Sequence, residues 1–596
     1  MKKLRALAAA LLAVLLAASL SGCRQMAAGL EQYGFDRFME KQFTGAMESS
    51  YLSARTYLTN PDDFGVDLSN VSYTLGPRFT AEEMANQRAE LQEISDDFSA
   101  FNRDLLTPEQ QDLYDAFDYQ ITLQTALADE KFDYYAQLFG SMTGLHFQLP
   151  TLFSDWVVSG AADAEALIQI ASDVKPYIDS ALAYTREQAN RGLLMTDLDD
   201  VADYCAGILE QGENSAVLTA MTESIDALEL GAAEKEDYKT RLTAAFTESF
   251  LPAYQAISDT MAELKESGKN NTGGLANLEH GKEYYALLLQ QSVGSEKSVE
   301  EVRALMESAY QTHAEALGQL VETDPISVVK ALTGALPETG YTSYEEILTS
   351  LQAQIAQDFP AVANLNYEIK EINEEIASDS GVAAYFNIPP IDGGSVQQLR
   401  VNPLGSDLAS ISTYSTVAHE GFPGHMYQYA YMYENVASNY VKAVADVPAY
   451  TEGFAVYAQY EALDYLEMDA ELLDSYRENE LLTYCAIILG DIGIHYDGWT
   501  LQEFTDYLNA LGFKIDSEAA KPQYDQLWAN PCAFEPYYVG YEQFAALRKQ
   551  AEEALGTSFD EKSFHQALLE SGTAPFSVVE RNVQAYIERA AAPAQN

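Results

Sequence analysis

From about residue 45 to about residue 375, apolar residues recur at three- and four-residue steps, the pattern of amphipathic helices. "AEEMANQRAELQEISDDFSAFNRDLL" (81–106) and "DAEALIQIASDVKPYIDSALAYTREQANRG" (163–192) carry it most clearly. Thr107-Pro108-Glu109-Gln110 and Ser298-Val299-Glu300-Glu301 read as helix starts, each a capping residue followed by acidic first-turn positions. Gly273-Gly274 and Asp324-Pro325 mark breaks between helices. Near residue 380 the pattern changes. "GVAAYFNIPP" (381–390) and "VQQLRVNP" (396–403) are short β-prone runs around the turn signal Asp392-Gly393-Gly394, and they predict two strands of a small sheet. Helical periodicity resumes at Ser410 and continues to the end, interrupted by Pro423, Pro448, Pro522 and Pro531. The expectation is a mainly α protein with one small sheet just before residue 410.

The N-terminus carries a different signal. Met1-Lys2-Lys3-Leu4-Arg5 is basic, Ala6 to Leu20 is small and apolar, and Leu20-Ser21-Gly22-Cys23 follows directly. This is the layout of a secretory leader. Its end resembles the bacterial lipobox, which implies cleavage before Cys23 and a lipid on that residue; the alternative is an ordinary secretory leader with an incidental cysteine. Lipid chains would hold the protein to the cell envelope without a spanning helix, and no later apolar run approaches the ~20 residues a span needs. Cys205, Cys485 and Cys532 show no close spacing and read as core thiols. A composition 47% hydrophobic supports a large core, and a net charge of −57 excludes nucleic acid as a partner because phosphate backbones are repelled.

Against this background "STVAHEGFPGHMYQYA" (415–430) stands out. The chain has seven histidines, and two of them lie six residues apart with an acid between. On a regular helix, residues six apart differ by ~240° and cannot share an ion. The gap, however, contains the residues that break a helix. Pro423 lacks an N–H and its ring collides with the carbonyl of His419, while Gly421 and Gly424 permit backbone angles other residues avoid. A two-residue bulge at Phe422-Pro423-Gly424 would bring His419 and His425 onto one Zn²⁺, with Glu420 as base toward a metal-bound water. A third ligand is required. Glu452, opening a helix after Pro448, is the candidate; the alternative is a first-turn acid favoured by the helix dipole.

These segments together resemble the bacterial domain-of-unknown-function 885 family, grouped with zinc peptidases of the gluzincin type. The matching pieces are "HEGFPGHMYQ" (419–428), "EGFAVYAQYE" (452–461), "DIGIHYDGW" (491–499), "PYYVGYEQFAALR" (536–548) and "FHQALLESGTAP" (564–575). They occur in the expected order, and the resemblance runs from about residue 45 to the C-terminus. It implies a large helical metallopeptidase-like fold with a deep cleft, with His419, His425 and Glu452 as metal ligands and Glu420 as base. Phe454 replaces a more usual tryptophan, and Pro531-Cys532-Ala533 replaces Pro-Gly-Gln, which touches none of the proposed ligands.

Further candidates each carry two readings. Asp491 and His495 are four apart on a helix, so His495 is either an oxyanion donor oriented by Asp491 or a buried partner of it. Tyr537 either polarises a substrate carbonyl or packs in the core. His565 either reaches the cleft or is structural, and Arg548 either holds a substrate carboxylate or forms an ion pair. The chain therefore divides into a leader (1–22), a tether (23–44), a helical lobe (45–375) and a metal-site lobe (376–596), the lobes forming one unit. The expected function is zinc-dependent hydrolysis of peptide bonds in short peptides; the alternative is a lipid-anchored peptide-binding protein without turnover. A sheet edge beside the metal helix is where an extended peptide would be held.

Overall fold

The computed structural model describes residues 2–592 apart from 143, 373–382, 394–395 and 405, with side chains from residue 25 onward. The expected leader (1–22) and Cys23 lie outside the residues whose side chains are described. The fold is 72% helix and only 3% strand, so the small sheet matters for what it positions rather than for bulk. Among the described residues no helix is long and apolar enough to cross a membrane.

The expected helix starts are formed by capping. Thr107 and Gln110 exchange side-chain and backbone bonds in a reciprocal box, as do Ser298 and Glu301. The first helix, α1 (Lys2–Glu48), runs through the residues expected as a tether (23–44). Phe35, Phe38, Met39, Phe43 and Met47 fall at helical spacing and are all buried, packed with Phe98, Phe117 and Tyr440. Five large apolar residues on one face make this stretch part of the fold.

A second core, from Phe139 to Leu264, belongs to the N-terminal helices alone. The third and largest joins residues 275–359, with Phe132, Tyr135 and Met195, to the C-terminal half, through contacts such as those of α2 (Val299–Thr323) with the helix Ala470–Ile492. This core thus spans both sides of the boundary expected at residue 375. The expected boundary followed the change from helix to strand, but burial, not secondary structure, defines a core.

The sheet has three strands, one more than expected: β1 (Asn366–Glu371), β2 (Ala384–Asn387) and β3 (Val396–Val401), in the order β1-β3-β2. β1 runs parallel to β3 and β2 antiparallel to it, with Phe386 opposite Leu399. β2 is therefore an edge strand. Tyr385 donates to Asp155 at 2.6 Å, and Arg400 pairs with the same carboxylate at 2.6 Å, tying the sheet to the N-terminal lobe. Five helices complete the site: α3 (Ile411–Glu420), α4 (His425–Asn435), α5 (Pro448–Glu461), α6 (Ala470–Ile492) and α7 (Glu535–Leu555).

Candidate metal centre

The helix through the histidine motif breaks outright instead of bulging. α3 ends at Glu420 and α4 begins at His425, with a four-residue turn between. Gly424 lies so close to the end of α3 that a Cβ there would stand 1.8 Å from the His419 carbonyl oxygen, and its N–H donates to Ala418 O at 2.9 Å. Only glycine fits this crossing. The break reorients α4, and the two imidazole rings meet edge to face with centroids 4.8 Å apart.

Glu452 is brought in by a second close approach. α5 crosses α7 where a Cβ on Gly453 would stand 2.5 Å from the Gly540 Cα, so the two backbones nearly touch. Glu452 precedes one glycine by one residue and Tyr537 precedes the other by three, so the crossing places both over the histidines. Glu452 Oε2 is 3.3 Å from His419 Nε2 and 3.3 Å from His425 Nε2. The Tyr537 ring stacks on His419 at 6.1 Å.

The outer nitrogens of both imidazoles are engaged elsewhere. His419 Nδ1 donates to the Gln459 amide oxygen at 2.9 Å, and His425 Nδ1 donates to that of Gln428 at 3.4 Å. With each Nδ1 donating outward, the Nε2 atoms of both rings face Glu452. Burial pulls His425 down, but Glu452, with Glu420 behind it, pushes it up to about 9. Burial pushes Glu452 up, yet His425 and His419 hold it far below the usual carboxylate range. Two ring nitrogens and two carboxylates thus converge at one place.

Glu420 plays a different part from Glu452. Its Oε2 accepts the Phe386 N–H of edge strand β2 at 2.8 Å, and its Oε1 is 4.0 Å from His419 Nε2. Glu420 groups with both histidines within 4.8 Å, so it is a conceivable ligand. Glu452 is the better one, because a single oxygen of it is equidistant from both imidazoles, whereas Glu420 is drawn back to the sheet. Beside these groups opens a cavity of about 590 Å³ lined by Glu420, His425, Glu452, Tyr537 and the β2 residues Tyr385 and Phe386, a size typical of small-ligand sites. Burial, then Glu452 and Glu420, push the Tyr537 phenol far up, so it remains a hydrogen-bond donor.

Three candidates are placed elsewhere. His495 is fully buried; its Nδ1 accepts from Leu275 N–H at 3.2 Å and its Nε2 donates to Leu527 O at 3.0 Å. Asp491 Oδ1 lies 3.7 Å from His495 Nε2, beyond hydrogen-bond length, where the helix passes into a π-helical turn (Gly493–Asp497). Asp491 accepts from Tyr285 instead, at 2.7 Å. His565 is fully buried, between Tyr457 at 2.8 Å and Asp358 O at 2.7 Å, and burial lowers it to about 3, so it stays neutral. Arg548 is consumed by Glu461 at 2.7 Å, Glu561 at 2.6 Å and Glu552 at 2.9 Å. In a chain with 91 acids and 34 lysines and arginines, such capture is the ordinary fate of a cation. The two glutamines that orient the imidazoles were not expected; the signal for Gln459 is its place seven residues after Glu452, two turns along one face of α5.

A family model described as "Bacterial protein of unknown function (DUF885)" matches residues 63–583. Among solved structures, the chain is similar to a candidate lipoprotein from Colwellia psychrerythraea, with a TM-score of 0.78 at 19% identity, covering 94% of this chain and 99% of that one. It is also similar to a candidate lipoprotein of unknown function from Shewanella oneidensis, with a TM-score of 0.58 at 16% identity, covering 93% and 99%. These two share the fold. No match is found among curated proteins.

Proposed function

This chain belongs to the DUF885 family, and we propose that within it the protein is a zinc-dependent hydrolase cleaving peptide bonds in short peptides. The carrying observation is the triangle of His419 Nε2, His425 Nε2 and Glu452 Oε2. Its two sides of 3.3 Å match the ~3.3 Å edge of a tetrahedron of ligands about 2.0–2.1 Å from zinc. They are long for charge-assisted hydrogen bonds, which run about 2.7–2.9 Å. Two nitrogens and one carboxylate are also the donor set of known catalytic zinc sites. When bound there, zinc supplies a Lewis acid and lowers the pKa of water to ~7.

The chain's own groups supply the rest. Glu420 is held at Oε2 by Phe386 N–H, which leaves Oε1 facing the imidazoles; that oxygen takes the proton from the attacking water and delivers it to the leaving amine. The Tyr537 hydroxyl is the donor for the oxygen that gains charge. Edge strand β2 lines the cavity and, apart from the Phe386 N–H held by Glu420, presents its outer edge to an extended substrate. Export and a lipid on Cys23 belong to the same proposal, resting on Leu20-Ser21-Gly22-Cys23; Cys23→Ala should move the protein from the membrane to the soluble fraction.

The test is metal analysis of purified protein with a peptide library read by mass spectrometry. Wild type should carry one zinc per chain and cleave. Glu420→Gln should keep the zinc and lose roughly 10²–10⁴ in kcat. Full turnover by Glu420→Gln would remove the base from the scheme, and a metal-free wild type would remove the centre.

A further inference from the structure

Three acids, Glu420, Glu452 and Asp446, line the cavity beside the candidate metal centre. Among its described lining residues Lys442 is the one lysine or arginine. Some lysines elsewhere are paired with carboxylates, as Lys131 is with Glu283 at 2.7 Å and Lys239 with Asp226 at 3.0 Å. Lys442 has no such partner among the described residues. Its Nζ donates one bond, to the Tyr433 carbonyl at 2.9 Å, and an ammonium carries three donors. The short helix Asn439–Ala443, capped by Ser438, fixes its position, with Tyr440 buried behind and bonded to Gln120 at 2.7 Å.

We propose that Lys442 is an anion subsite of this cavity that receives a free carboxylate of the substrate. The proposal rests on the hydrolase reading and narrows it to short peptides that carry a carboxylate. The physical logic is one of exclusion. A substrate carboxylate is repelled by Glu420, Glu452 and Asp446 in a concave, poorly screened space, where like charges act more strongly than in bulk water. Lys442 is the one lysine or arginine among the described lining residues, so the carboxylate of a peptide is directed to it and away from the three acids. Tyr429 and Met432 line the same cavity and suit an apolar portion of the peptide. Burial disfavours the charged ammonium, a cost that a bound carboxylate offsets.

The carboxylate has two sources, the C-terminus or an acidic side chain, and paired substrates separate them. One pair compares a free C-terminal acid with its amide; the other compares Glu with Gln at the terminal residue. In one pair the wild type should show kcat/KM at least ten-fold higher for the carboxylate member. Lys442→Met should bring that member down to its neutral mate, and Lys442→Arg should retain the preference. Equal values within both pairs for the wild type would overturn the proposal, as would a Lys442→Met loss shared equally by both members. Calorimetric binding of the same pairs to Glu420→Gln, with and without Lys442→Met, keeps the two readings apart. Carboxylate preference in binding without turnover by the wild type would sink the hydrolase and leave the subsite standing. No preference in binding would sink the subsite whatever the enzyme does.

Discussion

At His313, two carboxylates surround one imidazole: Nδ1 is 2.7 Å from Glu478 and Nε2 is 2.8 Å from Glu542. At His419 and His425, two imidazoles surround one carboxylate, and both distances are 3.3 Å. Both groups are buried, both lie among the helices of the largest core, and His313 and His425 are both pushed up to about 9 by neighbouring acids against the pull of burial. Charge alone does not tell them apart. Geometry does. Around His313 each ring nitrogen has its own acceptor at hydrogen-bond length, so a proton satisfies the group completely. Around Glu452 the spacing suits a larger cation, the outer nitrogens are anchored by amides, and a cavity gives access. The two clusters therefore differ in arrangement, acids enclosing one ring at His313 and two rings converging on one acid at Glu452, and the metal reading proposed above rests on the second arrangement.

The largest effect should fall on this distinction. His425→Ala should remove the zinc and with it turnover, while His313→Gln should leave one zinc per chain and a kcat/KM within about three-fold of wild type. Loss of zinc from His313→Gln, measured by elemental analysis of folded protein, would break the comparison at its base.

The sequence carried more of the metal centre than of its surroundings, for a physical reason. The spacing of His419 and His425 and the glycines and proline between them are local, and they were enough to require a break. Glu452 was readable as a candidate because Pro448 starts its helix. What places it against both imidazoles, the Gly453–Gly540 crossing, joins residues 87 apart along the chain and leaves no local pattern. Gln459, Phe386 N–H and Lys442 are likewise set by tertiary packing. β1 was missed because "NYEIKE" acquires a partner only from 30 residues downstream. His495 shows the converse. Its i,i+4 relation to Asp491 was a sound inference for an α-helix, but the helix passes into a π-helical turn there.

The His313 cluster can be tested without reference to catalysis. Its folded pKa lies above the ordinary value of 6.5, at about 9. A raised histidine contributes stability that is fully present below 6.5 and is lost as pH rises through about 9. The shift corresponds to roughly 3 kcal/mol. His313→Gln should therefore cost about 3–5 kcal/mol at pH 6, read from urea unfolding, and the deficit should shrink toward pH 9.5. An equal deficit at both pH values would show that the ring acts through packing rather than charge.

The smallest effects should separate the two amides that anchor the imidazoles. Gln459 accepts from His419 at 2.9 Å, a normal hydrogen bond, whereas Gln428 accepts from His425 at 3.4 Å, near the limit. Gln428 also leaves its buried Nε2 without a partner, so this side chain is poorly satisfied where it stands. Partners of this kind orient a ligand ring and typically contribute 10- to 100-fold in metal affinity. Gln459→Leu should fall in that range in a competition titration with a chelator. Gln428→Leu should lose less than about three-fold, since little bond strength is given up and an unsatisfied amide is removed. Neither change should alter zinc stoichiometry at saturating metal. If the two losses were equal, the imidazoles would owe their orientation to the packing of α3, α4 and α5 alone, and the anchored nitrogens would no longer distinguish this centre from the enclosed ring of His313.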